Sequence, residues 1–235
     1  MFFPIRDDQP TFSTPYITYF LIALNLLVYL LEFQLEHQNP GAARALVFQF
    51  ATVPRREIGF LTGVPVFSPL GALLPIITSM FLHAGWLHVI TNMWMLWLFG
   101  DNIEDYLGHF AYPVFYLLSG IAAAMTHVLL NANSAVPTIG ASGAIAGVMG
   151  AYFVLYPRAR VLTWIFFIIF LPVPAWLWLI IWAGEQFLSG AATSLAGTAQ
   201  ASGIAFWAHV GGFVVGILLI KLFPQRRRRV RYGTW

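Results

Sequence analysis

Cysteine is absent from the 235 residues, which excludes a disulfide framework, a thiolate nucleophile and a Cys-ligated metal. Charge is nearly as scarce. Only 9% of residues are Asp, Glu, Lys or Arg, against roughly 25% in a soluble domain. With 59% hydrophobic residues and a mean hydropathy of +0.75, that shortfall predicts a polytopic membrane protein. The net charge of +3 does not indicate nucleic-acid binding, because the basic residues gather at the ends of apolar runs and in the C-terminal tail. The N-terminus lacks a basic region leading straight into an apolar core, so no cleavable signal peptide is expected. No internal repeat and no second domain is visible.

Six apolar runs stand out, at residues 16–33, 75–100, 106–130, 140–156, 161–187 and 204–223. Each is close to the ~20 residues that cross a bilayer. They predict an all-α, six-helix membrane bundle, with 1–15 as a short N-terminal segment and 224–235 as a basic tail. Pro172 and Pro174 fall inside the fifth run, which is therefore expected to kink or unwind. Residues 34–74 are too polar to span and too apolar to be a solvated linker, so they are expected to hold short interfacial helices. Ser189 to Gly203 is rich in small residues and is expected to be a mobile loop. With both termini inside, the inner segments hold Arg6, Arg158, Arg160, Lys221, Arg226, Arg227, Arg228, Arg229 and Arg231, while the outer ones hold only Arg44, Arg55 and Arg56. The positive-inside rule then makes both termini cytoplasmic, and the expected setting is a bacterial plasma membrane. The basic tail suits an anchor on anionic lipid.

The fourth run opens with Gly140-Ala141-Ser142-Gly143, which puts a hydroxyl between two glycines. Glycine beside a serine lets another backbone or a substrate come close to that oxygen. The following Gly147 and Gly150, with Ala146 and Ala151, give a smooth face for tight helix packing. By itself the stretch equally suits a plain packing helix. Depth favours chemistry. Ser142 lies roughly 22 Å above Pro157, His209 roughly 21 Å above Phe223, and His88 roughly 18 Å above Gly100, at ~1.5 Å per residue. Three separate segments therefore place polar groups in one layer, some 8–12 Å below the outer surface of a ~30 Å core. Polar groups at that depth are costly and tend to mark function.

A serine hydroxyl needs a base within hydrogen-bond reach, and imidazole suits that role. His209 is the candidate base. Gly212 and Gly216, at GxxxG spacing just after it, would let its helix approach the glycine face that follows Ser142. An attacked carbonyl becomes an oxyanion that needs donors. Candidates are the Ser142 N–H and the side chains of His88 and Asn92, which are four residues apart on one helix face. No acidic residue is placed to complete a triad, so a hydrolase here would use a Ser–His dyad. The hydrolase elbow GxSxG is not matched, because Ala144 stands at its second glycine.

Taken together, these residues resemble the rhomboid intramembrane serine proteases. The resemblance rests on His88 and Asn92, on Gly100, Glu104 and Gly108, on Gly140-Ala141-Ser142-Gly143, and on Ala208-His209-Val210-Gly211-Gly212, and it covers roughly residues 16–223. It implies a six-helix rhomboid core, Ser142 as nucleophile, His209 as general base, and His88 and Asn92 as oxyanion donors. Gly140, Gly143 and Gly212 are its motif glycines. It implies cleavage of single-pass transmembrane proteins in or near the outer part of the bilayer, with no metal or cofactor. Members often carry an aromatic four residues after the serine. Here that position is Ala146, so Trp207 or Phe213 is expected to hold His209 instead. His83 is expected to brace the first loop, and His109 and His127 to be interfacial. The competing class is a rhomboid-like membrane protein that binds transmembrane helices without cutting them.

Overall fold

The computed structural model describes residues 2–64, 68–166, 168–196 and 205–226. The basic tail beyond Arg226 and the second part of the small-residue loop, from residue 197 on, therefore lie outside the described residues. The chain begins with strand β1 (Phe2–Asp7) and the long helix α1 (Tyr16–Gln38). Three short helices follow, α2 (Pro40–Phe50), α3 (Pro54–Leu61) and α4 (Pro69–Thr78), each with proline in its first turn. Proline suits that place because its missing N–H would be unpaired there anyway. After a 3-10 turn at Ser79–Phe81 come α5 (Trp86–Leu107), α6 (Ala111–Leu130) and α7 (Ser142–Leu155). Strands β2 (Arg160–Ile165) and β3 (Ile169–Pro174) lead into α8 (Ala175–Leu195), and α9 (Phe206–Leu219) closes the bundle.

The all-α expectation needs correcting at residues 161–174. These form an antiparallel hairpin, and β1 completes a three-stranded sheet in the order β1-β2-β3. The stretch is dense in Val, Ile, Thr, Trp and Phe, which favour strands. Pro172 and Pro174 forbid a helix interior. The fifth helix consequently starts at Ala175 rather than Val161, and it runs to Leu195, through the first half of the expected loop. The second run is also divided. Pro69–Phe81 and Trp86–Leu107 meet at 80°. Among the described residues two helices, α1 and α6, are long and apolar enough to cross a bilayer, or three spans if that bent pair counts as one. Helices α7 and α9 are apolar but shorter.

One carboxylate fixes the start of α1. Pro15 precedes that helix, and no side chain of its own caps it. Glu104, fully buried in α5, does so from a distance. Its Oε1 accepts the Ile17 N–H at 2.9 Å, and its Oε2 accepts the Thr18 N–H and hydroxyl, both at 2.7 Å. His109 Nδ1 lies 2.7 Å from the same carboxylate, so His109 is tied down rather than simply interfacial. The bundle core joins residues of α5, α6 and α7, including Phe99, Ile103, Phe115, Tyr116, Ile145 and Met149.

Candidate active site

Ser142 is the first residue of α7, where the leading amides have no partner inside the helix and the dipole is positive. Its approach is shaped by Gly140, which has φ +123°. A Cβ there would also lie 2.7 Å from His88 Nε2, so only glycine satisfies both the backbone and its neighbour. The Gly140 N–H is fixed by Ser79 O at 2.8 Å.

Helix α9 reaches Ser142 through glycine. A Cβ on Gly212 would sit 2.1 Å from Gly143 O, and one on Gly216 would sit 2.0 Å from Gly147 O. Backbones that close leave no room for any side chain between them. The result is a 2.7 Å contact between His209 Nε2 and Ser142 Oγ. On the other side of the ring, Nδ1 lies 2.7 Å from Gln186 Oε1 on α8. An amide oxygen only accepts, so it fixes the proton on Nδ1 and leaves Nε2 free to take the serine proton.

From α5, Asn92 is buried and donates its Nδ2 hydrogen to His88 O at 3.0 Å. His88 Nδ1 accepts the Ala84 N–H at 3.3 Å, which leaves the proton on Nε2. That Nε2 is the atom beside Gly140. A cavity of about 30 Å³ next to Ser142 is lined by Thr52, Ser79, Gly143 and Ala205, among others, and is large enough for a water. The structure thus gathers Ser142, His209, Gly143 and Gly212 at one contact, with His88, Asn92 and Gly140 beside it.

The family model "Rhomboid domain" matches residues 70–226. The chain belongs to the rhomboid family. It is 32% identical over 173 residues to "Rhomboid protein 1, mitochondrial" of Saccharomyces cerevisiae, covering 69% of this chain and 47% of that protein. It is 32% identical over 187 residues to the mouse (Mus musculus) "Presenilin-associated rhomboid-like protein, mitochondrial", covering 76% and 46% respectively. With the Arabidopsis thaliana "RHOMBOID-like protein 6, mitochondrial" it shares 33% over 125 residues, 48% of this chain and 40% of that one. The chain spans less than half the length of these relatives. Their names overturn the expectation of a bacterial plasma membrane with cytoplasmic termini, because each is a mitochondrial protein.

Two expectations about how this rhomboid holds its histidine also change. Trp207 does not pack on His209. It donates to Ser194 Oγ at 3.1 Å and meets Phe187 edge-on. Phe213 contacts Trp182 instead, and the Trp182 ring lies 5.9 Å from the His209 ring. Gln186 and Trp182 are therefore the residues that sequence reasoning missed. They are four apart, hence on one face of α8, and Gln186 is buried while the neighbouring Glu185 is exposed. That phase, read from a helix starting at Ala175, is the signal that was available. His83 is buried against the His88 ring, at 5.0 Å between centroids, and its backbone N–H donates to Glu32 Oε2 at 3.1 Å. His127 Nε2 lies 3.0 Å from Thr138 Oγ1 and so ties the loop that precedes Ser142.

Proposed function

We propose that this rhomboid is an intramembrane serine endopeptidase acting on single-pass transmembrane proteins through a Ser142–His209 dyad. The observation that carries the reading is the 2.7 Å contact between Ser142 Oγ and His209 Nε2, with Nδ1 held by Gln186. Ser142 Oγ attacks the scissile carbonyl while Nε2 takes its proton. Nε2 then gives that proton to the departing amine as the C–N bond breaks. A water, deprotonated by the same nitrogen, hydrolyses the acyl ester and returns the proton to Oγ. The Ser142 N–H, His88 Nε2–H and the second Asn92 amide hydrogen are the donors nearest the developing oxyanion.

Six membrane segments fit this reading, with α4 and α5 as one bent segment and α7 and α9 as short buried ones. Both chain ends then share one side of the membrane, and the relatives' names favour a mitochondrial membrane. The reading is tested by labelling the purified protein with a fluorophosphonate, beside Ser142→Ala and His209→Ala. The wild type alone should react, and it alone should cleave a reporter transmembrane substrate in lipid. A folded wild type that neither labels nor cleaves would move the reading to a rhomboid that binds membrane helices without cutting them.

A further inference from the structure

The sheet lies in an unusual place for a β structure. Gln9 O accepts from Asn102 Nδ2 at 3.1 Å near the end of α5, and Pro4 O accepts from Trp94 Nε1 at 2.8 Å. Asn102 and Trp94 are eight residues apart, or ~12 Å along the helix. Strand β1 therefore climbs along α5 from its C-terminal end toward the middle. Phe3 packs on Trp94, and Phe2 stacks on Trp178 of α8 with ring centroids 5.8 Å apart. The hairpin pairs with β1 from Asp7–Val161 up to Phe2–Ile165, so it climbs in the same direction. From Arg160 to Ile165 it rises ~17 Å, about half of a ~30 Å hydrocarbon core.

A strand with one face in water alternates apolar and polar residues. Strand β3 does not. Ile169, Phe170 and Leu171 are all exposed although successive side chains point to opposite faces, and Ile168 in the turn is 79% exposed. No charged residue occurs between Arg160 and Glu185. The exposed apolar surface continues onto α8 through Trp176, Ile180 and Ile181.

The edge of β3 is treated accordingly. Its pairing continues past the strand as Ala175 N–H to Ala159 O at 2.7 Å, so Val173 and Leu171 bond inward to β2. The intervening Phe170, Pro172 and Pro174 face the open edge. Two of those three have no N–H to leave unpaired. Unpaired edge donors are costly in hydrocarbon, and proline is the residue that removes them from an edge.

From these observations we infer that the β2–β3 hairpin is immersed in the bilayer and that its exposed residues Ile168–Leu171 lie against lipid acyl chains. Arg158 and Arg160, both exposed at its base, mark where the sheet meets the polar surface. Above that base the hairpin is thus a membrane-embedded part of the chain rather than a domain lying on the membrane.

Because the chain has no cysteine, single cysteines can be labelled uniquely. The experiment places an environment-sensitive fluorophore at Ile168→Cys, Leu171→Cys and, as the water-facing reference, Arg158→Cys, in the full chain in phosphatidylcholine vesicles. The first two should be quenched by nitroxides in mid-acyl chain. Their access to aqueous iodide should be about tenfold below that of the reference, as exclusion from water at that depth requires. Iodide access equal to the reference at both positions would overturn the proposal. So would shielding from both quenchers together with cross-linking between copies through Ile168→Cys, since the face would then be covered by a second chain.

Discussion

Where α7 begins, the chain meets α9 with almost no side chains between them, and the contact is made by Gly143, Gly147, Gly212 and Gly216. At the C-terminal end of α5 the opposite holds. There Glu104 joins two amides, a hydroxyl and a histidine, Asp105 accepts from Ser13 at 2.6 Å, and Asp7 bonds Tyr152. The first region fixes distance by steric contact and tolerates no added atom. The second fixes position by hydrogen bonds, each of which can be weakened singly. Chemistry sits at the first kind of junction because a nucleophile and its base must be held within tenths of an ångström, and packed backbone does this better than long side chains.

The largest effect should come from adding bulk to the glycine contact. Gly216→Val places a Cβ at 2.0 Å from Gly147 O, well inside van der Waals contact, so α7 and α9 must separate. An ångström of separation takes Ser142 Oγ and His209 Nε2 beyond hydrogen-bond range. Loss of general-base assistance costs about 100-fold or more, which fluorophosphonate labelling and substrate cleavage would show. Gly184→Ala is the control, since a Cβ there meets nothing within 4 Å. Full labelling of Gly216→Val would mean that the dyad does not depend on this approach.

At the other junction, Glu104→Gln should act on stability. The amide keeps the shape but turns an NH2 toward amides that already donate. A buried donor left unpaired costs ~2 kcal/mol. Thermal unfolding should move down by several degrees, with the surviving folded protein still reacting with the probe. A variant that unfolds normally yet no longer labels would show that the two junctions are coupled.

A smaller effect tests the link between α8 and the site. Gln186→Ala removes the acceptor on His209 Nδ1, a bond of 2.7 Å. One such bond is worth ~1 kcal/mol, so kcat should fall by about fivefold with KM little changed. Gln186→Glu keeps an acceptor and should restore most of the rate. Equal kcat in wild type and Gln186→Ala would assign the holding of the ring to Trp182 alone.

These two junctions were not equally legible in the sequence. The glycine face of α7, the GxxxG of α9 and the common depth of Ser142, His209 and His88 follow from local spacing along single helices. The positions of Gln186 and Trp182 depend on where α8 starts, and that was obscured because 161–187 reads as one apolar run. Apolar content alone does not distinguish a helix from a buried strand. The partner strand, Phe2–Asp7, lies more than 150 residues away from β2, and no local pattern announces such a pairing. Glu104 was visible as a motif residue, but its bond to the start of α1 was not, because the helix it caps lies 86 residues earlier.

The smallest effect belongs to Asp7, at the base of β1, whose carboxylate accepts the Tyr152 hydroxyl hydrogen. Burial pushes its pKa from 3.8 up to about 6, outweighing the Tyr152 and backbone hydrogen bonds that lower it. The folded protein therefore holds this proton more tightly than the unfolded chain does. The stability gained is complete below about pH 4 and is lost as pH rises through 6. Asp7→Asn removes the ionisation but keeps an acceptor for Tyr152. It should stabilise the protein by on the order of 1 kcal/mol above pH 6, after allowance for partial solvent screening, and the advantage should fade toward pH 4. Thermal unfolding of both proteins across that window would check it. An advantage that grows on acidification would mean that the carboxylate is stabilised in the fold. Asp7 bonds Tyr152 and touches neither Ser142 nor His209, so a mutation that acts by charge at the sheet should leave the pH profile of Ser142 labelling where it was.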